Sequence, residues 1–187
     1  MSPTMSPRMS KHRTLQVLRT ERITPRMARI TLGGAELDGY PEFAPDQRIK
    51  LFFPVEGQER PAIPRASSAG PVWPPGEPRP VIRTYTVRRF DAKAGELDVD
   101  FVLHSARGPA AEWAAKARPG DWLGVSEPGG RYQPNPEAGG HLIIGDESAL
   151  PAITTVLDAL GDFAGPVEVY IEVPDRDEEQ PLPSWAS

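Results

Sequence analysis

Apolar and polar residues alternate in short runs along the first two thirds of the chain, a pattern typical of half-buried β-strands. The segment 97–103 shows this most clearly, because every second residue in it is apolar. We expect it to pair as an antiparallel hairpin with the segment 82–90, through a turn at 91–95. In all, the pattern predicts six strands of an antiparallel barrel, over residues 15–23, 27–32, 49–53, 82–90, 97–103 and 122–125.

The pattern changes after the pair Gly139–Gly140. The apolar run 141–145 predicts a strand, residues 150–160 carry apolar side chains at helical spacing, and 167–173 again predicts a strand. A strand, a helix and a strand in this order form one βαβ unit, which is the beginning of a parallel sheet. One crossover covers only one face of such a sheet, so we expect this part to be a truncated domain.

The predicted fold class is therefore mixed β and α/β. We expect a disordered leader over 1–13, a six-stranded antiparallel barrel domain over 14–139 and a partial parallel α/β domain over 140–187. The 23 prolines favour short strands joined by loops over long helices. The longest loop is predicted over 54–80, and long loops inside compact domains often border a functional site.

The composition of the chain limits its chemistry. It has no cysteine, which excludes disulfides, thiolate nucleophiles, iron–sulfur clusters and cysteine-ligated zinc, and its three scattered histidines predict no metal site. Redox chemistry would therefore depend on a bound organic cofactor. A net charge of −5 argues against a nucleic-acid partner, and no apolar run approaches the roughly 20 residues of a membrane span. We expect a cytoplasmic monomer.

The segment Arg83-Thr84-Tyr85-Thr86 places a cation, an aromatic ring and two hydroxyls on one predicted strand. Strand geometry puts Arg83 and Tyr85 on one face and the two threonines on the other. A tricyclic flavin ring needs a stacking partner, a hydrogen bond near its redox-active nitrogen and neutralisation of its pyrophosphate. Tyr85 can supply the first, the Thr86 hydroxyl the second and the Arg83 guanidinium the third.

Two further features follow this segment along the chain. Gly108 ends the extended run and Pro109 fits the first turn of a helix, whose free amides and dipole favour an anion such as pyrophosphate. His104 closes the preceding strand and can contact cofactor phosphate or ribose. Each has an ordinary explanation as well, since His104 can be a surface residue and Trp113 of the helix a core residue. Their order and spacing together favour a flavin dinucleotide.

Four blocks of the sequence carry a family resemblance: residues 83–88 (RTYTVR), 101–104 (FVLH), 108–114 (GPAAEWA) and 145–153 (GDESALPAI). They resemble the signature motifs of siderophore-interacting proteins, which are FAD-dependent ferric-siderophore reductases related to ferredoxin–NADP reductases. The resemblance spans roughly residues 14–183 and implies FAD in the barrel. The cofactor-binding residues that it implies there are Arg83, Thr84, Tyr85, Thr86, His104, Gly108, Pro109 and Ala110.

The resemblance also implies a donor site and an acceptor site. Asp146, Glu147 and Ser148 would face the flavin and the nicotinamide of NAD(P)H, at a strand end where ligands bind in open α/β sheets. A reduced ferredoxin is the alternative donor. Lys50 and Arg131 are implied to attract an anionic ferric siderophore, although a lysine on an edge strand is also a common device for solubility. No side chain is assigned a catalytic or metal-binding role.

One departure from the family leaves alternatives open. Family members continue through a fuller nicotinamide domain, whereas this sequence stops at Ser187. The first alternative is a general flavin or ferric reductase of the same fold, which would not need Lys50 and Arg131 for a neutral substrate. The second is a non-catalytic ligand-binding barrel or interaction module, which binding of FAD to the purified protein would exclude.

Overall fold

The computed structural model describes residues 11–103, 108–161 and 163–186. No helix in these ranges is long and apolar enough to span a membrane. Arg13 begins the first strand, and residues 1–10 of the expected leader lie outside the described ranges. The strands and α-helices are β1 (Arg13–Thr24), β2 (Met27–Gly33), β3 (Arg48–Phe53), β4 (Val81–Thr86), β5 (Arg89–Asp91), β6 (Glu96–Val102), α1 (Pro109–Lys116), β7 (Trp122–Val125), β8 (His141–Asp146), α2 (Leu150–Ala159) and β9 (Val167–Glu172).

The first seven strands form one antiparallel sheet in the order β4-β3-β7-β1-β2-β6-β5. Its two edge strands, β4 and β5, are consecutive in the chain and are separated only by Val87 and Arg88. The Val87 N–H donates to the carbonyl of Gln47 at 2.8 Å, and the Arg88 N–H donates to the carbonyl of Asp98 in β6 at 2.9 Å. The chain therefore passes from one edge of the sheet to the other at these two residues.

The prediction of one strand over 82–90, paired throughout with 97–103, is wrong in its first half. β4 pairs with β3, where Tyr85 lies opposite Ile49, and only the short β5 pairs with β6. Alternation of apolar residues reports an extended backbone but carries no information about which distant strand lies beside it. The change of partner at Val87–Arg88 is therefore invisible in the local pattern.

The core lies on the inward faces of these strands. Inward apolar residues alternate with outward polar ones, as the two-residue period of a strand requires. α1 packs against this core through Ala110, Ala114 and Trp113, so the ordinary explanation of Trp113 as a core residue is confirmed. The fully buried members of the core include Leu15, Ile30, Leu32, Leu51, Val87, Leu97, Val99, Phe101, Leu123 and Val125.

β8 and β9 pair in parallel and are connected by α2, which confirms the predicted βαβ unit. The apolar side of α2, with Leu157 fully buried, packs on one face of the two strands. The other face exposes Leu142, Ile144 and Tyr170, which are 63%, 70% and 60% accessible to solvent. Among the described residues, the two-stranded sheet is thus covered on one side.

Two sets of hydrogen bonds join the βαβ unit to the large sheet. The Asp46 N–H, just before β3, donates to the hydroxyl of Thr155 in α2 at 3.1 Å. After β9, the buried carboxylate of Glu178 accepts hydrogen bonds from the Thr24 hydroxyl and from the Arg26 N–H. Together these bonds fix how the βαβ unit sits against the sheet.

The Thr24–Glu178 bond generates a stability prediction. Thr24→Val should lower the free energy of unfolding by about 1–3 kcal/mol, because the buried Glu178 carboxylate would lose one of its donors. Thr20→Val, at an exposed position of the same strand, is the matched control and should change little. Urea unfolding measures both variants. Equal stabilities of the two variants would show that this bond does not support the junction.

Candidate functional site

A cleft of about 300 Å³ lies where β4 meets the beginning of α2. β4 contributes the four consecutive residues Arg83–Thr86, and the β8–α2 region contributes Ser148 and Pro151. Arg48 of β3 and Asp100 of β6 add two further charged residues to the lining. The cleft therefore combines side chains from both parts of the fold.

β4 can present consecutive residues to one cleft because it is an edge strand. The register places Arg83 opposite the buried Leu51 and Thr84 opposite the exposed Lys50. Opposite residues of an antiparallel pair share a face, so the two threonines project on the outer side and Arg83 and Tyr85 on the core side. This is the arrangement that the sequence predicts.

Tyr85 is held in place by packing. Its ring centroid lies 4.4 Å from that of the fully buried Phe101, at an interplanar angle of 40°. Burial raises the pKa of Tyr85 to about 12, although the neighbouring Arg83 charge opposes the shift. The phenol is therefore neutral at physiological pH, and the ring forms a fixed aromatic wall of the cleft.

Arg83 brings a positive charge that its surroundings do not neutralise. Its Nη1 donates to the carbonyl of Ile82 at 2.8 Å, and it forms no ion pair with any residue in the described ranges. The buried Asp100 does not compensate it, because both Asp100 oxygens accept from Arg29, at 2.7 and 2.8 Å. The positive charge of Arg83 therefore favours the binding of an anionic group in the cleft.

The start of α1 offers backbone donors. Gly108 precedes the helix and Pro109 begins it, as predicted. Pro109 has no N–H and the Glu112 N–H donates to the Gly108 carbonyl at 3.0 Å, so the amides of Ala110 and Ala111 are those that no intrahelical acceptor can satisfy. Gly108, Pro109 and Ala110 lie outside the lining of the cleft described above.

One aromatic cluster fixes both α1 and the cleft wall. The Trp113 ring of α1 lies 6.1 Å from the Phe101 ring, measured between centroids, and Phe101 also supports Tyr85. The distance between the helix start and the Tyr85 ring is therefore set by packing. His104, which the sequence predicts beside this helix start, lies outside the described residues.

Asp146 organises the turn between β8 and α2. Its Oδ1 accepts from the Ser148 N–H at 2.9 Å, the Ser148 hydroxyl at 2.6 Å and the Ala149 N–H at 3.2 Å. These bonds lower the pKa of Asp146, and the Ser148 hydroxyl contributes most. Of the three residues predicted at this strand end, Ser148 lines the cleft, Asp146 holds the turn and Glu147 is half-buried nearby.

Lys50 and Arg131 lie on the surface and outside the lining of the cleft. Lys50 is two residues from Arg48 on the same face of β3. Arg131 lies two residues after Gly129, whose backbone exchanges hydrogen bonds of 2.7 and 2.8 Å with that of Arg48. Arg48, which lines the cleft, is thus close along the backbone to both predicted substrate residues.

The sequence interpretation does not include Arg48 and Asp100. Arg48 is two residues from Lys50, so the two-residue period of β3 is enough to predict that both side chains lie on the same face. Asp100 has no such signal. It lies directly opposite Arg29 on β2, and only the cross-strand register shows that this buried carboxylate is neutralised beside the cleft.

Comparison with known proteins follows the same two parts of the chain. Residues 16–132 match the siderophore-interacting FAD-binding domain and residues 138–187 match the siderophore-interacting protein profile. The ferric vibriobactin reductase ViuB of Vibrio cholerae is 36% identical over 170 residues, which is 91% of this chain and 62% of that protein. The NADPH-dependent ferric-chelate reductase of Escherichia coli is 39% identical, over 89% of this chain and 64% of that protein.

Solved structures agree with the sequence matches. A siderophore utilization protein from T. fusca superposes with a TM-score of 0.79 at 38% identity, over 94% of this chain and 66% of that one. More distant structures below 25% identity, a ferredoxin NADP+ reductase among them, share the fold. The chain thus spans less than two thirds of the length of the curated relatives named above.

The half-buried position of Tyr85 generates a titration prediction. The difference between wild-type and Tyr85→Phe absorbance, followed as the phenolate forms, should have its midpoint near pH 12, because burial penalises the charged form. A model tyrosine amide, which ionises near pH 10, is the reference. A midpoint at the reference value would mean that the ring is not packed against Phe101.

Proposed function

The chain belongs to the siderophore-interacting protein family, and from that premise we propose that it binds FAD beside Tyr85 and uses it to reduce ferric siderophores. The observation that supports this proposal most strongly is the run Arg83–Thr86 on the edge strand β4. There an uncompensated guanidinium, a fixed aromatic ring and two hydroxyls line one cleft. The printed names of two relatives, a ferric vibriobactin reductase and a ferric-chelate reductase, support the same reaction.

The cleft and the start of α1 together offer the chemical groups that FAD needs. The flavin ring needs an aromatic wall, which Tyr85 provides because Phe101 supports its ring. The pyrophosphate needs cations and amides, which Arg83 and the first turn of α1 provide. The fold holds the Tyr85 ring and the helix start in place, and Arg83 forms no ion pair with any described residue.

We propose that the seven-stranded sheet works as a six-stranded barrel. β4 and β5 form its two edges and are joined by only Val87 and Arg88, so they act as one bent strand that closes the sheet. In this proposal residues 14–139 form the FAD domain. Residues 140–187 form the first part of a nicotinamide-binding domain.

The chain's own residues would position the cofactor and shape its surroundings. Bound FAD would supply the redox chemistry, since a flavin can accept a hydride and release electrons singly. Tyr85 would stay neutral and present its ring, the Thr86 hydroxyl would donate a hydrogen bond at the ring edge, and Arg83 would neutralise phosphate charge. Ser148, oriented by its bond to Asp146, would offer a polar contact from the side of the βαβ unit.

A ferric siderophore would be the substrate and electron acceptor. Lys50 and Arg131 extend positive charge from the cleft to the surface, where it attracts an anionic complex. Reduction releases the metal because Fe(II) carries less charge than Fe(III) and binds hard oxygen ligands less tightly. The iron therefore needs no ligand from the protein in this reaction.

The electron donor in this proposal is NAD(P)H, and the name of the Escherichia coli relative favours NADPH. The nicotinamide would bind at the carboxyl end of β8, as ligands do in open α/β sheets. Glu147 and Ser148 lie there, while Asp146 maintains the turn that carries them. A reduced ferredoxin is the alternative donor.

A flavin-binding module without its own nicotinamide reaction is the second candidate function. It is favoured by the outer face of the βαβ unit, which exposes Leu142, Ile144 and Tyr170 among the described residues. Such a module would bind FAD as tightly as the first candidate requires. It would accept electrons from dithionite but not from NADH or NADPH.

Binding of FAD tests the proposed site. Tyr85→Ala should raise the Kd for FAD roughly 5- to 30-fold, since it removes about 1–2 kcal/mol of aromatic stacking. Arg83→Gln should weaken binding more at low than at high salt, because it removes a charge. Flavin fluorescence measures both, with Tyr170→Ala on exposed β9 as the control. If Tyr85→Ala bound FAD like wild type, the flavin would not lie against this ring.

Oxidation of the reduced flavin tests the substrate. After dithionite reduction of FAD-loaded protein, Lys50→Gln and Arg131→Gln should slow reoxidation by an anionic ferric siderophore severalfold and leave reoxidation by a neutral dye unchanged. Lys93→Gln, in the exposed turn between β5 and β6, is the charge-matched control. Equal slowing with both acceptors would reject the electrostatic role. Complete failure of the wild type to react with ferric siderophores would reject the proposed reaction.

A further inference from the structure

We propose that Arg48 is a further substrate-binding residue, which holds an anionic group of the iron chelate at the mouth of the cleft. The inference rests on the function proposed above and assigns a specific contact to that function. The ligand class is a ferric chelate whose catecholate or carboxylate oxygens carry net negative charge. The structure supplies three independent observations for Arg48, namely its fixed backbone, its guanidinium position and its missing ion-pair partner.

The backbone of Arg48 is held from both sides. On one side its N–H donates to the Gly129 carbonyl at 2.7 Å and its carbonyl accepts from the Gly129 N–H at 2.8 Å. On the other side it lies opposite Thr86 in the β3–β4 register. Arg48 therefore occupies a fixed place beside the residue that we assign to the edge of the flavin ring.

The guanidinium of Arg48 lies against Gly130. A Cβ added to Gly130 would come within 2.9 Å of Nη2 and 3.0 Å of Nε of Arg48. Gly130 also has a φ of 79°, which favours glycine. The turn after β7 therefore leaves room for the planar head group of Arg48, which is one of the residues that line the cleft.

The charge of Arg48 is not used within the described part of the fold. It forms no ion pair there, even with Asp46 two residues earlier. The carboxylate in the cleft lining, Asp100, is engaged by Arg29, and Asp146 accepts hydrogen bonds within its own turn. An external anion is thus the available partner for a guanidinium that can donate two parallel hydrogen bonds.

The face of the strand distinguishes Arg48 from Arg83. Arg83, the residue assigned to the pyrophosphate, projects on the core side of β4 together with Tyr85. Arg48 projects on the outer side, with Thr86 and Lys50. Arg48 therefore extends the positive surface of Lys50 toward the cleft, and an iron chelate attracted by Lys50 reaches it next.

Gallium complexes test the contact without electron transfer, because Ga(III) matches Fe(III) in charge and is not reduced by flavins. The probes are the triply negative gallium tris(catecholate) and the neutral gallium tris(acetohydroxamate). Calorimetric titration into FAD-loaded protein should give about tenfold weaker binding of the anionic probe by Arg48→Gln, with the neutral probe unaffected. Arg48→Lys should recover part of the loss, since it keeps the charge but not the planar fork.

Arg118→Gln is the matched control, because it changes the net charge of the protein by the same amount. Arg118 is exposed in the turn between α1 and β7 and forms no ion pair in the described ranges. It should bind both probes like wild type. Wild-type affinity of Arg48→Gln for the anionic probe would overturn the inference while leaving the proposed function intact. Failure of the FAD-loaded wild type to bind the anionic probe would contradict both, and failure to load FAD at all would contradict the proposed function first.

Discussion

The edge position of β4 is the constraint on which the candidate site depends. β4 pairs with β3 alone and leaves its other side unpaired. Residues from both faces of β4 therefore line one cleft, which a strand with a partner on each side would not allow. The edge exists because the chain leaves β4 at Val87–Arg88 and pairs next with β6 as β5. The same bend that ends one pairing thus creates the surface that carries Arg83, Thr84, Tyr85 and Thr86.

Packing and charge compensation prepare this surface for a ligand. Phe101 lies between the Tyr85 ring and Trp113, so the aromatic wall and α1 pack against the same buried ring. The Arg29–Asp100 pair removes the one buried carboxylate that would repel an anion from the cleft lining. Arg48 and Arg83 keep their charges free of ion pairs within the described residues. In the proposed function, these properties would suit a flat, negatively charged cofactor next to a negatively charged substrate.

Many elements of the fold and of the candidate site could be predicted from local sequence, because strand alternation and helix-start signals depend on neighbouring residues. The run Arg83–Thr86, the Gly108–Pro109 helix start and the βαβ unit after 140 are of this kind. The pairing of β4 with β3 could not be predicted, since the partner is set by residues some 30 positions away. The role of Asp100 was hidden for the same reason, because its donor Arg29 lies 71 positions away along the chain. Asp146 differs, since its donors Ser148 and Ala149 belong to its own turn.

The most direct test of the central claim is a crystal structure of the protein with FAD bound. The account predicts the flavin ring against Tyr85, with its edge near Thr86 and its pyrophosphate between Arg83 and the start of α1. FAD bound elsewhere on the molecule, or a cleft that stays closed by the chain's own side chains at saturating FAD, would contradict it.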